Sequence, residues 1–356
     1  MFVRPEDAIA ASPPPSGRVG IALPDGTRPV DTPAALRALR EWVSGEPPVV
    51  VGLGLHRKMS AAELPESPFP LLQHDPDDTV STGHFSGVPG GIYRPLAGCD
   101  ALLSVGVVEL HQYAGFSGGH KGVSVGCGAR ATLDALHHRD RVTAPGVDIG
   151  RLDGNPFRET VDLLGEAAGC RWALVQTERG WLAGEARRVL REAAASLDCW
   201  EEHHQRYPAM ILDVPARKAV NFYQASRAAT YVGRSPAPPL QPGATLFLEA
   251  ECPEGMGAGS GEQAFAEVLR RGRSPWPELL SGEAPVGAGT QRAVMLALVL
   301  RDYPLVICGL RDPEPLRRCG LNATTLPAAA LAPPGAYRLR DPFHRLPVLA
   351  GGNRIP

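Results

Sequence analysis

The side chains best suited to chemistry are concentrated in one glycine-rich stretch, HQYAGFSGGHKGVSVGCGARATLDALHH, which spans residues 111–138. It contains four histidines, a lysine and a cysteine. Histidine exchanges protons near neutral pH and binds nickel, zinc and copper, whereas lysine can bond covalently to electrophilic carbon. These residue types favour proton transfer, metal binding or covalent catalysis, and their spacing narrows the choice.

Ser117 lies in Gly-Phe-Ser-Gly-Gly, which fits the G-x-S-x-G pattern of a hydrolase nucleophile. That serine normally stands directly between a strand and a helix, whereas HQYA precedes this pattern and a further glycine-rich run follows it. Glycine-rich loops bring backbone N–H groups together and can hold a phosphate. We therefore interpret Ser117, Gly118 and Gly119 as a cofactor-binding loop, and a serine hydrolase remains an alternative.

Lys121 ends this loop, and the sequence allows two roles for it. It is either a counter-charge for a phosphate or, with a lowered pKa, a covalent anchor for a carbonyl or thiocarboxylate group. Sixteen residues later, His137 lies near the end of the helix predicted over 129–140 and is a candidate metal ligand. His138 would point about 100° away from it. Since one histidine cannot complete a coordination sphere, a metal here requires ligands from a cofactor.

Further polar residues follow three predicted strands. They are Asp25 and Arg28 after the strand over 18–23, His56 after 48–55, and His111 after 100–110. Ligands of open parallel sheets bind beyond the carboxyl ends of the strands. An arginine that can bind a carboxylate, together with two imidazoles at the same edge, predicts a site for an anionic substrate that exchanges a proton.

Short β-branched runs alternate with longer amphipathic segments along the chain, which predicts an α/β fold with mostly parallel sheets. The other predicted strands are 171–178, 207–214, 243–251 and 303–310, and the predicted helices are 32–43, 129–140, 155–169, 182–197, 219–229, 261–272 and 290–302. A chain of 356 residues exceeds a single core. We expect a catalytic and cofactor-binding domain over 1–205, a second domain over 206–356 that closes over it, and an active site in the cleft between them.

Composition excludes several classes of protein. A net charge of −2 offers no basic surface for nucleic acid, and the longest apolar run, AVMLALVL, is too short to cross a membrane. The seven cysteines form no C-x-x-C pair, and the N-terminal residues lack the apolar segment of a signal peptide. We therefore expect a cytoplasmic enzyme with no membrane or nucleic-acid partner.

The stretch HQYAGFSGGHK, with His137 sixteen residues after Lys121, resembles the signature of the nickel-pincer-dependent lactate racemase family. Other segments resemble the same family, in the same order along roughly residues 18–310. They are DGTRP (25–29), GLGLHRKMSAAEL (52–64), QHDPDD (73–78), GNPFRE (154–159), NFYQASR (221–227) and LEAECPEGMG (248–257).

The resemblance implies an isomerase, a racemase or epimerase of 2-hydroxy acids that depends on enzymes that make its cofactor. Lys121 would bind covalently a nickel-pincer nucleotide, nickel pyridinium-3,5-bisthiocarboxylic acid mononucleotide, and His137 would complete its square-planar nickel site. One histidine would take the hydroxyl proton while hydride moves from C2 to the cofactor and returns to the other face. The implied site residues are His56 and His111 as acid/base groups, Arg28 as carboxylate clamp, Asp25 behind it next to the cofactor, and Tyr223 and Gln224 from the second domain.

Four positions differ from the family pattern. His120 replaces an arginine before the anchor, and Val125 replaces a proline after it, so the loop is expected to differ in shape. In the second domain Arg227 replaces a lysine and Gln291 replaces a tryptophan. A guanidinium and an amide favour an acid that is larger or more polar than lactate, such as a hydroxy-dicarboxylate or a sugar acid. A non-catalytic protein that binds a mononucleotide or hydroxy acid is a further alternative.

Overall fold

The computed structural model describes residues 2–271, 276–282 and 287–351. Their contacts divide the chain into two compact units. The first contains the residues up to 136 and 140–197, and the second contains 137–139 and the residues from 198 onward. The boundary predicted after residue 205 lies eight residues beyond the division at 197/198.

A six-stranded sheet forms the centre of the first unit. Its spatial order is β10 (Gly180–Glu185), β9 (Cys170–Thr177), β6 (Ala101–Val107), β1 (Val19–Pro24), β2 (Val49–Gly52) and β3 (Leu71–Gln73). All neighbours are parallel except the pair β9 and β10. Two antiparallel pairs stand apart from it: β4 (Thr79–Phe85) with β5 (Val88–Tyr93), and β7 (Leu110–His111) with β8 (Gly115–Phe116).

The second unit contains a five-stranded sheet whose strands are all parallel. Its order is β15 (Asn322–Ala323), β14 (Leu305–Cys308), β13 (Leu240–Glu249), β12 (Tyr207–Asp213) and β16 (Tyr337–Arg340). A separate parallel pair joins β11 (Trp200–His203) to β17 (Leu346–Leu349). The predicted α/β fold with mostly parallel sheets is confirmed.

The helices follow local sequence signals. Asn155 begins one of them by accepting hydrogen bonds from the N–H groups of Phe157 and Arg158, and Pro156 occupies its first turn. In chain order the helices are α1 (Pro5–Ala11), α2 (Thr32–Arg40), α3 (Lys121–Ser124), α4 (Arg130–Leu136), α5 (Arg139–Val142), α6 (Pro156–Ala167), α7 (Ala186–Ala195), α8 (Phe222–Ala225), α9 (Arg227–Gly233), α10 (Ser260–Arg270), α11 (Trp276–Ser281), α12 (Gln291–Asp302) and α13 (Glu314–Arg318), with 3-10 turns at Arg94–Leu96 and Ala328–Ala330. Within the described ranges, none of these helices combines the length and apolarity that a bilayer span requires.

The core of the first unit covers both faces of its sheet, as parallel sheets require. Strand β1 therefore is apolar along its length rather than alternating, and its first five residues are buried. Helix α2 packs Leu36 and Leu39 onto one face, where they join Ile21 and Val49 in a continuous apolar cluster. This packing fixes β1 and β2, and hence the loops that follow them.

Two predictions about individual elements were wrong. The helix predicted over 129–140 ends at Leu136, and α5 begins only at Arg139, so His137 lies in the connection and not within a helix. The helix predicted over 182–197 begins at Ala186, because Glu185 caps it and the preceding residues form β10. Glycine-containing strands such as GWLAGE have little β-branched character, and the sequence pattern missed this one.

Candidate functional site

The loops that carry the predicted acid/base residues follow three neighbouring parallel strands, β2, β1 and β6. Asp25 and Arg28 follow β1. His56 lies four residues after the end of β2, and His111 lies in β7, beyond the end of β6. The strands end earlier than predicted, yet parallel strands present all three loops at one edge of the sheet.

Asp25 and His56 form a hydrogen-bonded pair between the loops after β1 and β2. His56 Nδ1 lies 2.5 Å from Asp25 Oδ2, and the other carboxylate oxygen accepts from Thr27 N at 3.1 Å and Thr27 Oγ1 at 2.6 Å. Burial acts to raise the pKa of Asp25, but His56, Thr27 and Arg28 outweigh it and hold that pKa well below its usual range. Because Asp25 is a carboxylate, it accepts the hydrogen bond, and Nδ1 of His56 carries the proton that it receives.

Arg28 and Glu109 form an ion pair between the loops after β1 and β6. Arg28 Nη1 lies 2.5 Å from Glu109 Oε2, and the two side chains are only 15% and 4% exposed. Sequence reasoning placed Asp25 behind Arg28 and did not single out Glu109. A signal was present, since an acid inside the apolar run VVEL is expected to be buried, and buried carboxylates are paired.

His111 is buried in the short hairpin of β7 and β8, in a hydrogen-bonding state opposite to that of His56. Its Nδ1 accepts from the backbone N–H groups of Tyr113 at 3.3 Å and Ala114 at 3.1 Å. A ring nitrogen that accepts hydrogen bonds carries no proton, so neutral His111 bears its proton on Nε2. The two predicted acid/base histidines are thus not equivalent, because Nδ1 donates in His56 and accepts in His111.

The Ser117 hydroxyl is hydrogen-bonded to the backbone at the end of β6 and just beyond it. Its hydroxyl donates to Val107 O at 2.9 Å and accepts from Glu109 N at 3.0 Å, and its side chain makes no hydrogen bond to a histidine within the described residues. A serine nucleophile needs such a base, so this geometry disfavours the hydrolase alternative. The next two residues, Gly118 and Gly119, have φ of +96° and +58°, and across the described ranges their N–H groups take part in no hydrogen bond.

Lys121 is half-buried and begins α3, which rests directly on the sheet. A Cβ added at Gly122 would lie 2.5 Å from Ser104 Oγ on β6. The loop that leaves α3 approaches the loop after β2 equally closely, because Gly54 N donates to Gly126 O at 2.9 Å. Lys121 therefore lies on an element held by both β6 and the His56 loop.

His120, which precedes Lys121, belongs to a buried charged network. Its Nδ1 lies 3.1 Å from Asp162 Oδ1, and that oxygen also accepts from Arg158 Nε at 3.0 Å and from Arg158 Nη2. Burial acts to raise the pKa of Asp162, but Arg158 and His120 lower it well below its usual range. Gly165 makes room for the ring, since a Cβ there would lie 2.5 Å from His120 Cβ. His120, which stands where the sequence resemblance implies an arginine, thus places an imidazole next to a carboxylate that already accepts from a guanidinium.

The remaining predicted residues belong to the second unit. Tyr223 and Gln224 lie on α8, Arg227 begins α9 and Gln291 begins α12, and all four are buried. Asn221 caps α8 by accepting from Gln224 N at 2.9 Å, and Arg227 donates to the Gln224 side chain. The structure therefore joins Gln224 with Arg227. His137, at the end of α4, is half-buried, and His138 is exposed.

The first unit offers backbone donors, but no cluster of side-chain metal ligands among its described residues, to the group that the sequence resemblance implies. No cluster of three or more His, Cys, Asp or Glu side chains in the described ranges could hold a metal ion. The unused N–H groups of Gly118 and Gly119 stand two and three residues before Lys121 and suit a phosphate. These backbone donors fit the phosphate of a nucleotide. The buried Cys127 thiol does not add a metal ligand, because burial raises its pKa well above its usual range.

Comparison with known proteins links the first unit to one family. Residues 6–149 match the lactate racemase N-terminal domain. Over 151 residues the chain is 31% identical to lactate racemase of Lactiplantibacillus plantarum, and over 171 residues it is 24% identical to lactate racemase of Thermoanaerobacterium thermosaccharolyticum. These matches cover 38% and 43% of this chain, and only 36% and 40% of the two relatives.

Two solved structures share the fold over nearly the whole chain. The lactate racemase apoprotein of T. thermosaccharolyticum has a TM-score of 0.78 at 18% identity, covering 97% of this chain and 93% of that one. A Thermotoga maritima protein has a TM-score of 0.72 at 13% identity, covering 98% and 100%. At these identities the likeness establishes the fold of each unit, and the chemistry must be argued from the residues of the site.

Proposed function

We propose that the protein is an isomerase that inverts C2 of a 2-hydroxy acid, since residues 6–149 match the lactate racemase N-terminal domain. The observation that carries the proposal is the pair of side-chain contacts Asp25–His56 and Arg28–Glu109. They join the loops after three neighbouring strands and combine a proton acceptor with a guanidinium at one edge of the sheet.

His56 is the group that moves the hydroxyl proton. Its Nδ1–H is held by the Asp25 carboxylate, which orients the ring and stabilises the imidazolium formed when Nε2 takes a proton. Asp25 accordingly acts as a positioning residue. The same imidazolium can return the proton to the oxygen once C2 has been inverted, so one histidine serves both enantiomers provided that the oxygen stays within its reach.

His111 supports that oxygen in a different way. For Nε2 to act as a base, the proton would have to move to Nδ1, which would break the bonds from Tyr113 N and Ala114 N. In its observed state His111 donates an Nε2–H hydrogen bond and stabilises negative charge on the hydroxyl or keto oxygen, in the manner of a neutral electrophilic imidazole. The family resemblance implies two equivalent acid/base histidines, and the geometry supports unequal ones.

Arg28 would bind the substrate carboxylate from the first unit, and Tyr223, Gln224, Arg227 and Gln291 would contact the substrate from the second. Glu109 offsets the charge of Arg28 and fixes the plane of its guanidinium. An amide and a guanidinium in place of an indole and an ammonium favour an acid more polar than lactate.

Lys121 would hold the nickel-pincer nucleotide covalently, with its phosphate near Gly118 and Gly119 and with His137 as nickel ligand. When bound, that group supplies a hydride acceptor for C2. The chain contributes the anchor, the base His56 and the carboxylate clamp, and it depends on partner enzymes that make the cofactor. We place the reaction in the cytoplasm, where seven free cysteines stay reduced.

The test is racemisation by protein co-produced with the cofactor-making enzymes, followed by chiral chromatography of single enantiomers of 2-hydroxy acids. His56→Gln should lower kcat about 10³-fold, since it removes the base. His111→Gln keeps an N–H donor and should lower kcat only about 10-fold. His84→Gln changes an exposed histidine in β4 and serves as the control. Equal losses in the His56 and His111 variants would refute the unequal roles.

Intact mass separates this proposal from its rivals. The protein should carry a cofactor mass increment that disappears in Lys121→Ala, with nickel near one atom per chain. No racemisation of any 2-hydroxy acid by protein that carries the increment would contradict the proposal and favour a binding protein. Labelling by a fluorophosphonate that is lost in Ser117→Ala would instead establish the serine hydrolase.

A further inference from the structure

The first turn of α12 holds a buried cation that has no ion-pair partner among the described residues. Arg292 is 5% exposed, and its Nε and Nη1 atoms have no hydrogen-bond partner among the residues that the structure describes. The neighbouring Gln291 is 2% exposed, and its Oε1 likewise has no partner there. The guanidinium carbon of Arg292 lies 5.1 Å from the centre of the Tyr223 ring. The contact places this cation next to a residue already proposed to touch substrate.

This placement is unfavourable for the folded protein alone. A guanidinium taken out of water requires an anion and several acceptors to compensate its lost hydration, and an aromatic face replaces only part of that. The positive end of the twelve-residue helix adds to the cost, because Arg292 lies in its first turn and no acidic residue accompanies it there.

Among the described residues of the second unit, Glu262 is the buried carboxylate, and both of its oxygens already accept hydrogen bonds. Glu262 is 3% exposed, and its Oε1 accepts from Asn221 Nδ2 at 3.1 Å while its Oε2 accepts from Gly259 N at 2.7 Å. Those bonds link Glu262 to the cap of α8 and to the start of α10. This carboxylate therefore stabilises the start of α8, which carries Tyr223, and the start of α10. Within the described residues, Arg292 has no carboxylate partner.

We propose that Arg292 binds a second acidic group of the substrate, which makes that substrate a 2-hydroxy-dicarboxylate. This inference rests on the proposed racemase function and specifies its substrate class. The C1 carboxylate and the hydroxyl are assigned to Arg28 and His56, so a further cation next to Tyr223 calls for a further anion. The neutral polyol chain of a sugar acid would accept hydrogen bonds from Arg292 but would not neutralise its charge. A dicarboxylate does both and is therefore the favoured substrate.

The experiment compares Arg292→Met with Arg301→Met in cofactor-loaded protein. Arg301 lies on the same helix but is 53% exposed and paired with Asp302 at 2.8 Å. With malate as the dicarboxylate probe, Arg292→Met should raise KM about 100-fold, as expected for loss of a charge-assisted pair, and leave the KM for lactate unchanged. Arg301→Met should change neither value.

A second measurement requires neither cofactor nor turnover. Without ligand, Arg292→Met should melt at a temperature equal to or above that of the wild type, because an unmatched buried charge is replaced by an apolar side chain of similar length. Malate should raise the melting temperature of the wild type and of Arg301→Met, but not that of Arg292→Met. A lower melting temperature of Arg292→Met would show that Arg292 has a structural partner, and the proposal would fall.

The two proposals fail separately. If malate and lactate are both racemised and Arg292→Met changes their KM values equally, the dicarboxylate site is refuted and the racemase stands. If gluconate is preferred over malate, the site belongs to a sugar acid and the proposal is likewise refuted. If no hydroxy acid is racemised but malate still stabilises the protein through Arg292, the binding site stands and the proposed function falls.

Discussion

Replacing Gly122 by alanine tests how closely the Lys121 helix is fitted to the sheet. The added Cβ would lie 2.5 Å from Ser104 Oγ, and the next atom, Ser104 Cβ, would be 3.7 Å away. The conformation of Gly122 is not in the left-handed region, so alanine is compatible with the backbone. The overlap with one hydroxyl oxygen therefore decides the effect.

The magnitude follows from two opposing contributions. Alanine is favoured over glycine in a helix by about 0.5–1 kcal/mol, and overpacking a buried contact costs about 1–3 kcal/mol. We expect Gly122→Ala to lower the free energy of unfolding by about 1 kcal/mol. Ser104→Ala removes the hydroxyl and leaves the Cβ at position 104, at 3.7 Å, as the nearest atom. In that background Gly122→Ala should raise the free energy of unfolding by about 0.5 kcal/mol. The coupling between the two positions is then about 1.5 kcal/mol.

The assay is urea unfolding of the four proteins of this double-mutant cycle, with Gly106→Ala as control. Gly106 lies on the same strand, and a Cβ there would have no neighbour within 4 Å, so its replacement should be neutral within about 0.5 kcal/mol. Additive effects at positions 122 and 104 would refute the contact. A large loss at Gly106 would show that the strand, and not the helix contact, governs the result.

Two further changes probe buried charges. Asp162→Asn leaves Arg158 buried without its carboxylate and should lower the free energy of unfolding, measured by calorimetry, by about 3–5 kcal/mol. Asp153→Asn removes an exposed partner of Arg191 and should lower it by less than about 1 kcal/mol. Equal losses would contradict the burial argument. Burial lowers the pKa of His74 to about 4, so the unfolded chain takes up its proton first, and stability should fall by at most about 3 kcal/mol from pH 6.5 to 4. His74→Gln should flatten that part of the urea-measured pH profile, and an unchanged slope would refute it.

Much of the fold follows from sequence because parallel strands covered on both faces are continuous apolar runs. VGIALP and VVVG are such runs, and both form strands at the predicted places. Elements that lack this signature were missed or misplaced. GWLAGE forms an antiparallel edge strand, and the helix before His137 stops at Leu136 although its amphipathic pattern continues. Periodicity reports which face is buried and does not report where a helix ends.

At the site, the sequence could place residues on loops but not choose their partners. Asp25 and His56 were both singled out, yet nothing in their spacing indicates that they pair with each other and that Arg28 pairs with Glu109. The hydrogen-bonding state of a histidine is harder still to predict from sequence. The acceptor role of His111 Nδ1 depends on two backbone N–H groups of a tight hairpin, and only coordinates show their direction.

The pairing of Arg28 with Glu109 also bears on how the protein is made. These residues are 81 positions apart, whereas Asp25 and His56 are 31 apart. At a synthesis rate of about 5–20 residues per second, Arg28 leaves the ribosome roughly 4–16 seconds before its partner. A nascent chain that ends before β6 therefore lacks the carboxylate that pairs with Arg28. The pair forms only after β6 has been made, whereas β9 and β10 of the same sheet follow later still.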